Sequence, residues 1–500
     1  MEQKLKQLQE ILFQVYDLNA VQQLLNWDQQ TYMPAGGAEE RGEQLATLAQ
    51  LAHERFTSPE VGQLLEDLQV FTDQLPPDSD EACLIRVTRR QYNKQTRLPA
   101  SYVSEYAQVT TVAQTAWEQA KANDDFECFR PHLQRIVELR RQYAEFFAPY
   151  DHVYDPLLDD FEPDLKTAEV QQIFNSLKPE QVALIQAIAS CPQVDDSFLH
   201  QPFDEKSQWE FGVEVITRFG YDWQRGRQDR SVHPFSTSFG LGDVRITTRL
   251  DPNWLAPALF GTMHECGHAL YDQGISPTLR RTPLASGASM AIHESQSRLW
   301  ENLVGRSRAF WAFFYPHLQK IFPQQLGNVD LNTFYRAINK VQPSLIRTEA
   351  DEATYNLHVM LRLELEIALM EGNLEVQDLS EVWNSKMQEY LGIAPKTNRE
   401  GVLQDIHWSF GGLGYFPTYA LGNLISAQLW EAIMKDIPDL ENQIEHGEFS
   451  ALLSWLREKI HRHGMKFPPQ ELVQKVTGST ITPQPYLRYL KRKFSDIYGL

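Results

Sequence analysis

Met263-His264-Glu265-Cys266-Gly267-His268-Ala269-Leu270 decides how the rest of the chain is read. Successive residues of an α-helix turn by about 100°, so His264 and His268 stand one above the other on one face, spaced to share a metal ion. Glu265 follows the first histidine and flanks that position, where a general base for a metal-activated water belongs. Fourteen histidines in 500 residues give roughly 0.4 chance His-x-x-x-His pairs, and the fixed acid lowers this to about 0.05. The competing explanation is a buried helix whose histidines bond to backbone, and a third ligand separates the two. Cys266 points about 200° away from His264 and reads as a small buried residue, not a ligand.

A catalytic zinc site takes three protein ligands and leaves a fourth position open. The next apolar-periodic segment, Gly287 to Val304, carries His293-Glu294-Ser295-Gln296-Ser297-Arg298. Glu294 follows His268 at a distance sufficient for a helix end, a turn and an antiparallel return, which would bring its carboxylate to the same ion. His293 is the rival ligand, but as a helix neighbour it points about 100° away, and Glu294 is the expected third ligand.

On the N-terminal side of the motif, His233-Pro234-Phe235-Ser236-Thr237-Ser238-Phe239, a Gly240-Leu241-Gly242-Asp243 turn and Val244 to Leu250 predict a β-hairpin feeding the helix. A strand edge beside a metal site can hold an extended peptide by backbone hydrogen bonds. Elsewhere the spacing is helical, as in Leu5-Leu8-Leu12-Val15-Tyr16 and Val109-Val112-Ala113-Ala116-Trp117-Ala120, with stops at Met33-Pro34-Ala35-Gly36-Gly37 and Leu75-Pro76-Pro77-Asp78. Trp27 to Pro34 is rich in side chains that could face a cleft, but reads first as a packed helix end with its tryptophan in the core. Tyr154 to Pro163 lacks the alternate ligands and glycine turn of a calcium loop and reads as a structural connection. Ile346 to Tyr355 is expected to open a long helix running to about Met370, and Gly401 to Trp408 leads into a glycine- and aromatic-rich segment, Phe410 to Tyr419.

With no linker, internal repeat or low-complexity segment, residues 1–500 are expected to form one large catalytic unit. The net charge of −20, from 46 basic and 66 acidic residues, disfavours nucleic acid and anionic membranes as partners. The chain holds no apolar run of membrane-spanning length, and Met1 to Ala20 reads as a charged amphipathic helix, so a soluble cytoplasmic protein is expected. Four scattered cysteines, Cys83, Cys128, Cys191 and Cys266, make neither a disulfide framework nor a cysteine-based zinc site.

These blocks together resemble the M32 metallocarboxypeptidases, the thermostable carboxypeptidase Taq type. The resemblance is carried in order by His233-Pro234-Phe235, Asp243-x-Arg245-x-Thr247, His264-Glu265-x-x-His268, His293-Glu294-Ser295-Gln296, Ile346-Arg347-x-x-Ala350-Asp351 and Gly401-x-x-Gln404-Asp405-x-His407-Trp408. It covers nearly the full chain with no departure at a signature position. It implies a mainly α, zincin-type fold with a small β-sheet beside a deep active-site groove, and a homodimer. It implies zinc on His264, His268 and Glu294, with cobalt or manganese as possible substitutes, and Glu265 as catalytic base. It also implies removal of single residues from peptides with a free C-terminus, with broad specificity and poor release of proline.

In that chemistry the carbonyl oxygen needs a donor opposite the metal, for which His233 and a tyrosine of the Tyr415 to Tyr419 segment are the candidates; the resemblance favours His233, and Tyr415 comes first between the tyrosines. A terminal carboxylate suits a guanidinium fork, for which Arg347 is the first choice and Arg245 and Arg298 the alternatives. An arginine beside Asp243 or Glu294 could equally clamp that acid. The resemblance implies that His407 contacts the substrate's C-terminal end, and Thr247 and Asp351, within the signature blocks, are expected to serve substrate binding. The alternative within enzymes is a zinc endo-oligopeptidase with the same metal site. A helical binding protein stapled by metal is disfavoured, because structural zinc is usually held by a closed, cysteine-rich set.

Overall fold

In the computed structural model, which describes residues 1–500, the apolar stripes predicted from spacing become the buried faces of helices. The first helix, Glu2–Thr31, buries Leu5, Leu8, Ile11 and Leu12 and ends just before Pro34. The second, Ala38–Phe56, packs along it. These N-terminal helices share a small core of their own with Leu241, Ile275, Leu279 and Leu284, while the remaining helices bury one much larger core. No helix is long and apolar enough to cross a membrane, and all four cysteines are free. The chain is therefore mainly helical with one small sheet, as expected.

That sheet has three strands, β1 (Gly226–Arg230), β2 (Ser236–Gly240) and β3 (Asp243–Thr248), in the order β1-β3-β2. β2 and β3 form the expected antiparallel hairpin. β1 was not foreseen, because Gly-Arg-Gln-Asp-Arg shows no apolar alternation. It runs parallel to β3 and sets Arg227 beside Arg245. The two like charges are neutralised by Asp229 and Asp243 and lie over Trp27, at 5.2 and 4.4 Å from its ring centre. Trp27 is buried at its helix end as expected, but its partners are guanidinium groups as well as apolar side chains.

The His264–His268 pair lies on the helix Leu255–Gly274, and Glu294 on the helix Met290–Arg298 packed against it. The second helix begins later than its apolar pattern suggested, where the Ser289 hydroxyl accepts from Ile292 N (3.1 Å), and continues as a π-helical turn, Leu299–Val304. Glycine sets the spacing here. A Cβ on Gly267 would lie 2.6 Å from Ser297 Cα, and one on Gly422, in the helix Pro417–Asp436, 2.5 Å from Glu294 Cγ. The long helix expected from Ile346 starts instead at Tyr355 and runs to Glu371, and only Arg347–Glu349 makes a short helical turn before it. The physical reason is Asp351, whose carboxylate accepts from Ala353 N, Thr354 N and Gln342 N and holds the chain in a turn.

The Tyr154 to Pro163 connection carries buried carboxylates. Glu162 is fully buried, accepts from Ala291 N at 2.6 Å, and leaves its second oxygen without a partner. Burial pushes its carboxyl up to about 8 from an ordinary 4.5, against the pull of the Ala291 amide. Between these values the unfolded chain has released a proton that the folded chain retains. Glu162 therefore lowers stability progressively as pH rises from about 4.5 to about 8. Glu162→Gln keeps the acceptor and cannot ionise. Its melting temperature should gain on wild type as pH is raised through that window, and parallel melting curves from pH 5 to 8 would contradict the assignment.

Candidate active site

His264 and His268 present Nε2 atoms 3.6 and 3.4 Å from Glu294 Oε2, and one ligand atom from each of the three lies within 4.8 Å of the others. Tetrahedral bonds of about 2.1 Å give ligand-to-ligand edges of roughly 3.4 Å, so the two histidine-to-carboxylate edges fit a tetrahedral ion. The opposite ring nitrogens are held. His264 Nδ1 bonds Glu301 Oε2 at 2.9 Å, and His268 Nδ1 bonds His293 Nδ1 at 2.6 Å, with His293 Nε2 on Asp272 Oδ1 at 3.1 Å. Each bond fixes a ring and turns Nε2 inward. His293 thus stands behind His268 and not among the three. Glu301 and Asp272 escaped the sequence reading because their partners are far away in the chain. The one available hint was an acid seven residues beyond Glu294 on the same helix.

Charge is organised around the triad. Burial opposes ionisation of Glu294, yet Arg298 and the two histidines hold it well below the usual carboxylate range. Arg298 donates Nε to Glu294 at 2.7 Å and Nη1 to Glu301 at 3.2 Å. Burial, with help from the charges of His293 and His264, takes His268 down to about 4, leaving the neutral imidazole that metal binding requires. Glu265 is buried and unpaired beside the triad. Burial raises it to about 7, with His264 opposing and Glu294 and Glu301 adding. Cys266 is fully buried in the core, away from the ligand cluster.

A second buried cluster adjoins this one through Tyr355, whose ring lies 4.4 Å under the Arg298 guanidinium and whose hydroxyl accepts from Arg347 Nη1 at 2.8 Å. Arg347 also donates Nε and Nη2 to Asp405, and Arg362, fully buried, donates Nε to the same carboxylate at 2.7 Å. Two guanidiniums thus share one acid. His407 bonds Tyr419 through Nε2 at 3.1 Å, and its ring lies 5.3 Å from that of Tyr415. Burial and the adjacent Arg347 charge keep His407 neutral, at about 3. Tyr355 and Arg362 had no signal in the sequence, since both belong to an ordinary apolar helix pattern.

The other expected substrate residues sit around the sheet and its loops. Arg245 donates Nε and Nη2 to Asp243 at 2.8 Å each, with its guanidinium between Trp27 and Phe239. Thr247 is fully buried and holds the chain before β2, accepting from Phe235 N at 2.9 Å. Asp351 is engaged by the backbone amides already described. His233 is exposed in the loop between β1 and β2. A cavity of about 680 Å³ opens beside His293 and Asp272, walled by the first two helices and Ser238 of β2, with Gln91 and Gln95 along it.

The sequence pattern of the carboxypeptidase Taq (M32) metallopeptidases matches residues 7–494. The chain belongs to this family. As an M32 metallocarboxypeptidase it is 43% identical over 486 residues to thermostable carboxypeptidase 1 of Thermus thermophilus, covering 95% of both chains. It is 40% identical over 478 residues to carboxypeptidase 1 of Bacillus subtilis, again with 95% of each covered. The crystal structure of an M32 carboxypeptidase from Deinococcus radiodurans superimposes with a TM-score of 0.97 at 41% identity, over the whole of both chains. The enzyme is thus a hydrolase of peptide bonds with its family's fold, and His264, His268 and Glu294 are its candidate metal ligands.

Proposed function

We propose that this metallocarboxypeptidase uses zinc, or cobalt or manganese in its place, on His264, His268 and Glu294 to release single residues from peptides with a free C-terminus. The observation that carries the C-terminal direction is the uneven charge beside the triad, where Arg347 and Arg362 share only Asp405. A buried guanidinium without its own counter-ion attracts an anion, and the substrate's terminal carboxylate supplies one. When bound, the ion polarises the scissile carbonyl and makes water more acidic. Glu265 takes the proton of the attacking water and passes it to the leaving amine, a role that its buried place beside the triad supports.

Tyr415, raised by burial to about 12, stays protonated and can donate to the developing oxyanion, and His233, which the resemblance favours, is the other candidate donor. Arg347 and His407 hold the C-terminal end, with Arg245 and Arg298 as further cations. Thr247 and Asp351 serve the substrate through the loops they fix. The 680 Å³ cavity beside His293 offers room for residues preceding the scissile bond. Broad specificity, poor release of proline, a homodimer and a cytoplasmic location follow from the resemblance and composition.

Digestion of a mixed peptide set, read by mass spectrometry, should give ladders shortened one residue at a time from the C-terminus. Metal analysis should find about one divalent ion per chain, lost in His264→Ala. Internal cleavage at equal rates in free and C-terminally amidated peptides would replace this reading with an endo-oligopeptidase.

A further inference from the structure

Glu366 lies on the helix Tyr355–Glu371, fully buried and outside the cluster of metal ligands. Three donors converge on it. Its Oε1 accepts from Trp408 Nε1 at 2.7 Å, and its Oε2 accepts from the Tyr154 hydroxyl at 2.5 Å and from Gly414 N at 3.0 Å. Two of these donors belong to residues adjoining the groups assigned to substrate: Trp408 follows His407, and Gly414 precedes Tyr415. Gly414 itself has φ of +101°, and a Cβ there would meet Leu157 O at 2.4 Å. The backbone that presents Tyr415 is therefore pressed between Leu157 and the Glu366 carboxylate, in a conformation that favours glycine.

The segment from Tyr154 to Glu162 completes the arrangement. Tyr154 binds Glu366, Leu157 backs Gly414, and the Phe161 ring lies 5.0 Å from that of Tyr415. The same segment then reaches the start of the Glu294 helix, where Phe161 O accepts from Met290 N at 3.2 Å and Glu162 from Ala291 N. One strap thus touches both the loop bearing Tyr415 and the helix bearing Glu294. We propose that Glu366 is a positioning residue that, through Trp408, Gly414 and this strap, sets His407 and Tyr415 at their places relative to the metal ligands. The proposal rests on the roles given above to Tyr415 and His407.

Glu366→Gln separates this role from general support of the core. A carboxylate offers acceptors on both oxygens, whereas an amide turns its NH₂ toward either the Trp408 or the Gly414 donor and leaves one N–H unpaired. The variant should retain one metal per chain yet lose about tenfold or more in kcat/KM on free peptides, the rate equivalent of one disrupted buried hydrogen bond. In a cycle with Tyr415→Phe and another with His407→Ala, the losses should be strongly non-additive in at least one, because Glu366 acts through those side chains. Additive losses in both cycles, or loss of metal, would overturn the proposal. Should Tyr415→Phe alone be as active as wild type, Tyr415's assigned role falls and the His407 cycle decides for Glu366. If Glu366→Gln does not fold, Tyr154→Phe, which removes one donor of the three, should show the same coupling at smaller size, and its absence has the same force as additivity.

Discussion

Glu265→Gln is expected to bind its full complement of metal, melt close to wild type and lose about three orders of magnitude in kcat. The size follows from general acid–base catalysis, which is worth on the order of 10²–10⁴-fold. The amide matches the carboxylate in shape but cannot accept the proton of the attacking water. Metal retention follows from geometry, since Glu265 lies outside the three-ligand cluster, whose imidazoles are oriented by Glu301 and His293. Metal analysis and single-turnover kinetics on one preparation check both halves. A fully loaded variant with near wild-type kcat would remove Glu265 from the proton transfer, while a metal-free variant would give it a part in holding the ion.

The second large effect tests direction of attack. Amidating the substrate's C-terminus should lower kcat/KM of the wild type by about one to two orders of magnitude, because a hydrogen bond between buried charged groups contributes roughly 1.5 to 3 kcal/mol. Arg347→Ala should cost a similar factor on the free peptide and much less on the amidated one, which has no carboxylate to lose. Two enzymes against two substrates make a cycle whose non-additivity measures direct contact. The geometry adds a complication, since removing Arg347 also strips Asp405 of one of its two guanidinium partners. Arg347→Lys, which keeps the charge but not the fork, should therefore recover fold stability and only part of the discrimination. Equal losses on both substrates would mean that Arg347 supports Asp405 alone, and the carboxylate would pass to Arg245 or Arg298.

The parts of this architecture that could be read from sequence are those in which one repeating geometry links neighbours in the chain. His264 and His268 are joined by a single helical turn, and Glu294 by the next helix, so spacing alone brought them together. The hairpin of β2 and β3 was visible because a turn separates two extended runs. β1 was not, because Arg227 and Asp229 lie in a short strand whose charges pair with each other and stack on an aromatic ring 200 residues earlier in the chain. The shell behind the triad was illegible for the same reason. His293 looked like a rival ligand because its contact with His268, and through its other nitrogen with Asp272, depends on the packing of two helices. Likewise, nothing local to Arg347 announces that Asp405, far along the chain, shares its charge with Arg362. The start of the helix at Tyr355 was misplaced because Asp351 offers its carboxylate to the backbone, a competition that apolar periodicity does not register.

Gly267 and Gly422 grip the Glu294 helix from two sides, so closely that a single methyl group on either would collide with it. Such contact leaves the helix no room to slide or roll, and interiors packed this tightly yield little. The ligand cage is in consequence stiff in advance of any occupant. Its side-chain ligands stand on helices whose separation those two glycines set. A cage held in this way is expected to favour small ions with short bonds to nitrogen and oxygen over a large cation such as calcium, which needs six to eight oxygens at about 2.3–2.6 Å. Two glycines outside the ligand set are thereby expected to act as the gauge against which ions are measured.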